Sequence, residues 1–257
     1  MAIGKLGILG AVLHRRAMRR WEAIANRART MRLSELRQAR LHAAQQRAVL
    51  DSVLYTAESR LTLPLIGSNA IQRPLNSDWQ WRPELWRGPI SPPGVAAADT
   101  KTSFGNEVTL FHDCRISELT VRQVRNSRET DLAPFGLRMD VFNFDGSFLS
   151  LVIELPKDAL NGLKRKHLVR MTAAIEPERP VEIFARLNVR HGPNTEQLVR
   201  ELPLGDDEII VEFDLAYTKL NEKRVEAAWV DLIFEGAQMN QITLRDVNFS
   251  RRPRAEL

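Results

Sequence analysis

The chain is short of cysteine, of acid at its start and of long apolar runs. Cys114 is the sole cysteine, which excludes an intrachain disulfide and a zinc site built on paired cysteines. It also suits a reducing compartment. The best apolar run, Leu6 to Leu13, is about eight residues against the roughly 20 that cross a bilayer. His14-Arg15-Arg16 follows it with no small-residue cleavage site, so it reads as retained rather than as a signal peptide. No phosphate loop, Rossmann glycine pattern, nucleophile elbow or zinc spacing is present. Gly4, Gly7 and Gly10 have no strand before them and so do not form a nucleotide loop. No internal repeat or low-complexity tract appears.

Acid is what the first 50 residues lack most. They hold eleven Lys/Arg against two Asp/Glu, a balance of +9, while the other 207 residues carry −4 of the net +5. The alkaline character of the chain therefore lies in an N-terminal arm. Leu6, Leu9, Leu13, Ala17, Trp21, Ile24, Ala28 and Met31 recur at steps of three and four, one face of an α-helix. Arg15, Arg16, Arg19 and Arg20 fall mostly on the other side. An Arg-rich, acid-poor start is also the pattern of a transit peptide, but here the helical patterning continues past residue 50. Ser34 is placed to cap a second helix carrying Leu36, Ala39, Ala43, Leu50, Leu54, Ala57 and Leu61, which Pro64 ends.

Residues 62–103 hold six of the thirteen prolines and three of the five tryptophans, Trp79, Trp81 and Trp86. Proline at that density disfavours helix and central strand, and tryptophan disfavours disorder. The expectation is an extended segment wrapped over the domain surface. From Phe104 onward the texture is strands: ten β-branched and aromatic segments between Glu107 and Ser250, punctuated by turns such as Asp145-Gly146 and Gly192-Pro193-Asn194. Ile183, Ala185, Leu187 and Val189 alternate with polar residues, with Phe184 out of phase. One helical insertion is expected near Lys157–Lys166. The reading is a mainly β chain: a helical arm over 1–61, a Pro/Trp-rich wrap over 62–103 and an antiparallel β-sandwich, a jelly roll, over 104–257.

The blocks Phe111-His112-Asp113-Cys114, Ile183 through Gln197 and Ser250 through Leu257 resemble an alphaproteobacterial family carrying a domain of unknown function. That resemblance covers most of the chain and implies no activity. The closing strand, Ile242-Thr243-Leu244-Arg245-Asp246-Val247-Asn248-Phe249, is similar to the end of galactose-binding-like jelly rolls, the fold of many carbohydrate-binding modules. This second resemblance covers about residues 104–252 and implies glycan binding. Such modules often carry an acid near the last strand at a structural calcium site, which makes Asp246 the metal candidate. Arg245 beside it departs from that pattern, and no cofactor is expected.

Other chemistry reads as structural. On a strand, His112 and Cys114 share a face while Asp113 points away, so the triplet builds no catalytic relay. Asp140, Glu154, Glu212, Asp214, Asp231 and Glu235 are strand acids, and any pair of them would suit a glycan hydrolase, the alternative to binding. Trp79, Trp81 and Trp86 offer stacking planes for sugar rings, against a role anchoring their own segment. Trp229 reads as core. The arm, through Leu6, Leu9, Leu13, Trp21 and Ile24 with its arginines, suits an anionic membrane surface or a helical protein partner better than nucleic acid. The expected protein is a non-catalytic binding or scaffolding module, cytoplasmic or peripheral at the inner membrane.

Overall fold

The computed structural model describes residues 8–62, 71, 74–128 and 130–254. The chain divides into two compact units, Met1–Leu54 and Tyr55–Leu257. Leu6 lies outside the described residues, as does the side chain of Leu9.

The first unit is a helical hairpin of α1 (Ile8–Arg27) and the start of α2 (Leu33–Thr62). Trp21, Ile24, Ala28 and Met31 are half-buried, as are Leu36 and Ala39 of α2. The apolar stripe of α1 therefore meets α2 near the turn of the hairpin. No described helix is long and apolar enough to cross a membrane.

The second unit is a sandwich of two antiparallel sheets. Sheet A runs in the order β11 (Ile209–Asp214), β8 (His167–Pro177), β13 (Asn240–Pro253), β6 (Phe135–Val141), β5 (Leu119–Arg125), β2 (Gly94–Ala96), with β1 (Trp79–Trp81) also paired to β13. Sheet B runs β10 (Asn194–Glu201), β9 (Glu182–His191), β12 (Val225–Glu235), β7 (Leu149–Glu154), β4 (Val108–His112), β3 (Thr102–Phe104). Period-two alternation sends one face of each sheet inward. Met139, Met171, Leu244, Val247 and Phe249 of sheet A thus meet Leu110, Leu151, Ile153, Leu187, Val230 and Leu232 of sheet B in one core. The four-residue helix α4 (Lys157–Leu160) lies inside the expected insertion.

The Pro/Trp-rich stretch is built into this sandwich rather than laid over it. β1 to β3 are hydrogen-bonded strands, and α3 (Glu84–Arg87) buries Leu85 and Trp86 completely. Pro83 stands directly before α3 and Pro93 directly before β2, where no ladder donor is needed. The closing strand β13 changes register between Leu244 and Asp246, a bulge with Arg245 as the extra residue. The indole N–H of Trp86 donates to the Leu244 carbonyl at 3.0 Å, and the Asn126 amide donates to the Arg245 carbonyl at 2.8 Å. The irregular backbone of the bulge is satisfied by side chains from two distant segments.

Candidate functional site

The tryptophans of the N-terminal stretch face inward. Trp81 lies opposite Phe249 in register and stacks on it, ring centres 5.9 Å apart, and Trp79 stacks on Trp81 at 6.3 Å. The Trp79 indole donates to Asp158 at 3.3 Å. Trp86 has no exposed surface. The rings of all three are taken up by their own domain, and Trp86 has no face left for a ligand.

Asp246 does not fit a calcium site. Arg82, whose side chain is 1% exposed, places Nε and Nη2 each 2.7 Å from its two carboxylate oxygens, and Asn248 adds a third donor at 3.2 Å. A cation needs six to eight oxygen ligands with free lone pairs, and here the guanidinium supplies the positive charge. No group of three or more His, Cys, Asp or Glu suited to a metal exists among the described residues.

His112 and Cys114 are likewise structural. The buried His112 ring donates from Nε2 to the Ala98 carbonyl at 2.8 Å and accepts the Cys114 N–H on Nδ1 at 3.2 Å. Both nitrogens are occupied by backbone. Burial pushes the Cys114 thiol up, away from the thiolate a nucleophile needs.

Four of the strand acids are held by arginine. Arg138 binds Asp140 at 3.0 Å, Arg186 binds Asp231 at 2.7 Å, and Arg254 lies 3.4 Å from Asp214. Arg170 and Arg252 flank Glu212 at 2.8 and 3.2 Å. Burial pushes the Glu212 carboxyl up, but its bonds to Arg170 and Arg252 outweigh this and hold it below its ordinary value. A general acid needs the opposite shift.

A hollow of about 260 Å³ beside the β13 bulge is lined by Arg128 and Arg245 and by an excess of acids, Asp131, Glu176, Asp206, Asp207, Glu208 and Asp246. Arg245 reaches Asp131 at 3.0 Å and Glu176 at 2.9 Å, and Arg128 also pairs with Glu176.

The outer face of sheet B is different. Trp229 lies opposite Asn188 on β9 and Glu154 on β7, and Asn188 lies opposite Gln197 on β10. Ala228 and Val230 point into the core, so Trp229 points out, half-buried; the expectation that it is core is corrected. The next row holds Arg186, Asp231, Val152 and Thr109, and the one after it Phe184, Ile233, Ser150 and Phe111. Rows on one face are about 7 Å apart. Phe184, out of phase in sequence, is thus an outward aromatic like Trp229 and Phe111.

Polar groups between the aromatics are locked in place. Arg186 Nε donates to Asp231 at 2.8 Å, Asn188 Nδ2 donates to the same carboxylate at 3.0 Å, and Gln197 Nε2 donates to Asn188 Oδ1 at 3.0 Å. The buried hydroxyl of Ser150 has no hydrogen-bond partner among the described residues. Three outward aromatic side chains therefore share this face with a fixed set of donors and acceptors. Sequence reasoning missed this face, although one signal was present: Trp229 shares its strand parity with Asp231 and Glu235.

Two stacked antiparallel sheets with this order define a jelly-roll sandwich. Similar solved structures include the enzymatically active domain of bacteriophage CBA120 tailspike protein 4, at 7% identity, 60% of this chain, 21% of that one and TM-score 0.41. A family 11 carbohydrate-binding module from Clostridium thermocellum, bound to a mixed-linked tetrasaccharide, matches at 12%, 64%, 98% and 0.39. The first family 22 xylan-binding domain of Paenibacillus barcinonensis Xyn10C matches at 10%, 63%, 94% and 0.37. This chain thus spans about a fifth of the tailspike domain and nearly all of each module. Among curated proteins no sequence matches. The chain belongs to a family of unknown function, DUF6478, whose model matches residues 1–257.

Proposed function

We propose that this chain is a non-catalytic binding protein that holds a saccharide on the outer face of sheet B and docks through its helical arm on a membrane or partner helix. The observation that carries the saccharide reading is the outward placement of Trp229, Phe184 and Phe111 on the same face as the Arg186–Asp231–Asn188–Gln197 chain. A sugar ring has an apolar face of C–H groups and a polar edge of hydroxyls. Aromatic faces take the first, and fixed amide, carboxylate and guanidinium groups take the second. Because the polar groups already hold one another, little ordering remains to oppose binding. The same ion pairing supports binding over hydrolysis, since Asp231 is occupied as an acceptor.

Affinity electrophoresis of the whole chain through soluble polysaccharides of varied linkage tests this reading. At least one polymer should retard the protein, and Trp229→Ala should weaken that retardation by about tenfold, equivalent to ~1.4 kcal/mol. No retardation by any polymer, or retardation unchanged in both Trp229→Ala and Phe184→Ala, would contradict it. Release of reducing ends that Glu154→Gln abolishes would establish the hydrolase instead.

A further inference from the structure

The hairpin unit carries an apolar surface that its own packing does not use. A groove of about 730 Å³ between its helices is lined by Ala17, Trp21 and Ile24 on one side and Gln38, Ala39 and His42 on the other. Trp21 and Ile24 therefore belong to the seam of the hairpin. Away from the turn the apolar side chains stand in the open. Leu13 on α1 is 61% exposed, and on α2 Val49, Leu50, Val53 and Leu54 are 54–67% exposed. At 100° per residue the last four form one broad stripe. Arg15, Arg16, Arg19, Arg20, Arg37 and Arg40 are exposed on the same two helices.

We infer that the Val49–Leu54 stripe of α2, with Leu13 of α1, lies on an anionic lipid surface, and that Trp21 does not. This rests on the reading of the arm as a contact surface and names its partner. Charge selects the occupant. A second copy would bring another +9 against the first, whereas acidic headgroups complement it. Exposed branched side chains on helices that also carry exposed arginines suit an interface in which the apolar groups enter and the guanidinium groups stay at headgroup level. A stripe of this length lies on a bilayer rather than crossing it.

Co-sedimentation of the full chain with phosphatidylcholine vesicles, with and without roughly a third phosphatidylserine, tests the assignment. The protein should pellet only with the acidic vesicles and release at high salt. Leu50→Glu should weaken binding about tenfold with helical circular dichroism retained, and Val53→Gln should weaken it less. Ile116→Glu, on the sandwich and also exposed, should bind as the wild type. Equal pelleting with neutral vesicles, or full binding by Leu50→Glu, overturns the inference. Absence of vesicle binding together with an oligomer that Leu50→Glu dissolves overturns the lipid assignment and leaves the arm as a protein contact. Absence of both overturns the contact reading of the arm as well. Saccharide retardation of the same variants should match the wild type throughout, which keeps the two readings separate.

Discussion

Arg82 and Asp246 are 164 positions apart and form a buried, two-point ion pair. Such a pair contributes little over an apolar replacement, but losing one partner strands the other charge. Arg82→Met should therefore destabilise the sandwich by about 3–5 kcal/mol in urea unfolding, and adding Asp246→Leu should restore most of that loss. A single variant as stable as the wild type would show that Asp246 finds other compensation. His167 supplies a pH effect. Its ring accepts the Lys164 N–H, and burial, then Arg251, pushes its pKa below the ordinary 6.5, with Lys166 and Lys164 adding to this and Asp78 opposing it. The unfolded chain then binds more protons than the folded one just below pH 6.5, so stability is complete above 6.5 and is lost as pH falls through that window. Urea midpoints should drop between pH 7.5 and 5.5 in the wild type and drop less in His167→Gln. Equal drops would assign the effect elsewhere.

At the scale of elements, the strands were legible and the partners of the N-terminal stretch were not. The sequence pattern places strands at Leu119–Arg125, His167–Glu176, Ile209–Tyr217 and Val225–Phe234; the first coincides with β5 and the others match β8, β11 and β12 within a few residues, because period-two burial writes itself into composition. The stretch before Phe104 has no such pattern. Its three short strands are fixed by pairing with β13, β5 and β4, and its tryptophans by Phe249 and the bulge. Those contacts are long-range, so local propensity is silent about them. Trp229 failed for a related reason, since an aromatic residue suits either face of a strand. The consequence is testable by truncation. A fragment beginning at Lys101 loses Arg82, Leu85 and Trp86 and should aggregate, whereas one beginning at Gly67 should stay soluble with a β-type circular dichroism spectrum. A soluble, cooperatively folding Lys101 fragment would show that β1 and α3 are dispensable.

Across the whole molecule, charge and pattern separate two kinds of work. The arm holds the positive charge and exposed apolar side chains, and the sandwich holds an aromatic and polar face with a slightly acidic balance. Charge asymmetry was plain in the sequence, as was a helix near its start. That α1 uses Trp21 and Ile24 against α2, leaving α2 to offer the open stripe, required the hairpin. The five tryptophans provide a direct readout of the proposed saccharide face. Titrating the isotope-labelled protein with the oligosaccharide form of the polymer that retards it should shift the indole N–H resonance of Trp229, assigned through Trp229→Phe, in a saturable way. Trp86, wholly buried and bonded to Leu244, should not move. Saturable shifts confined to other tryptophans, with Trp229 unmoved, would place the ligand elsewhere and contradict the account.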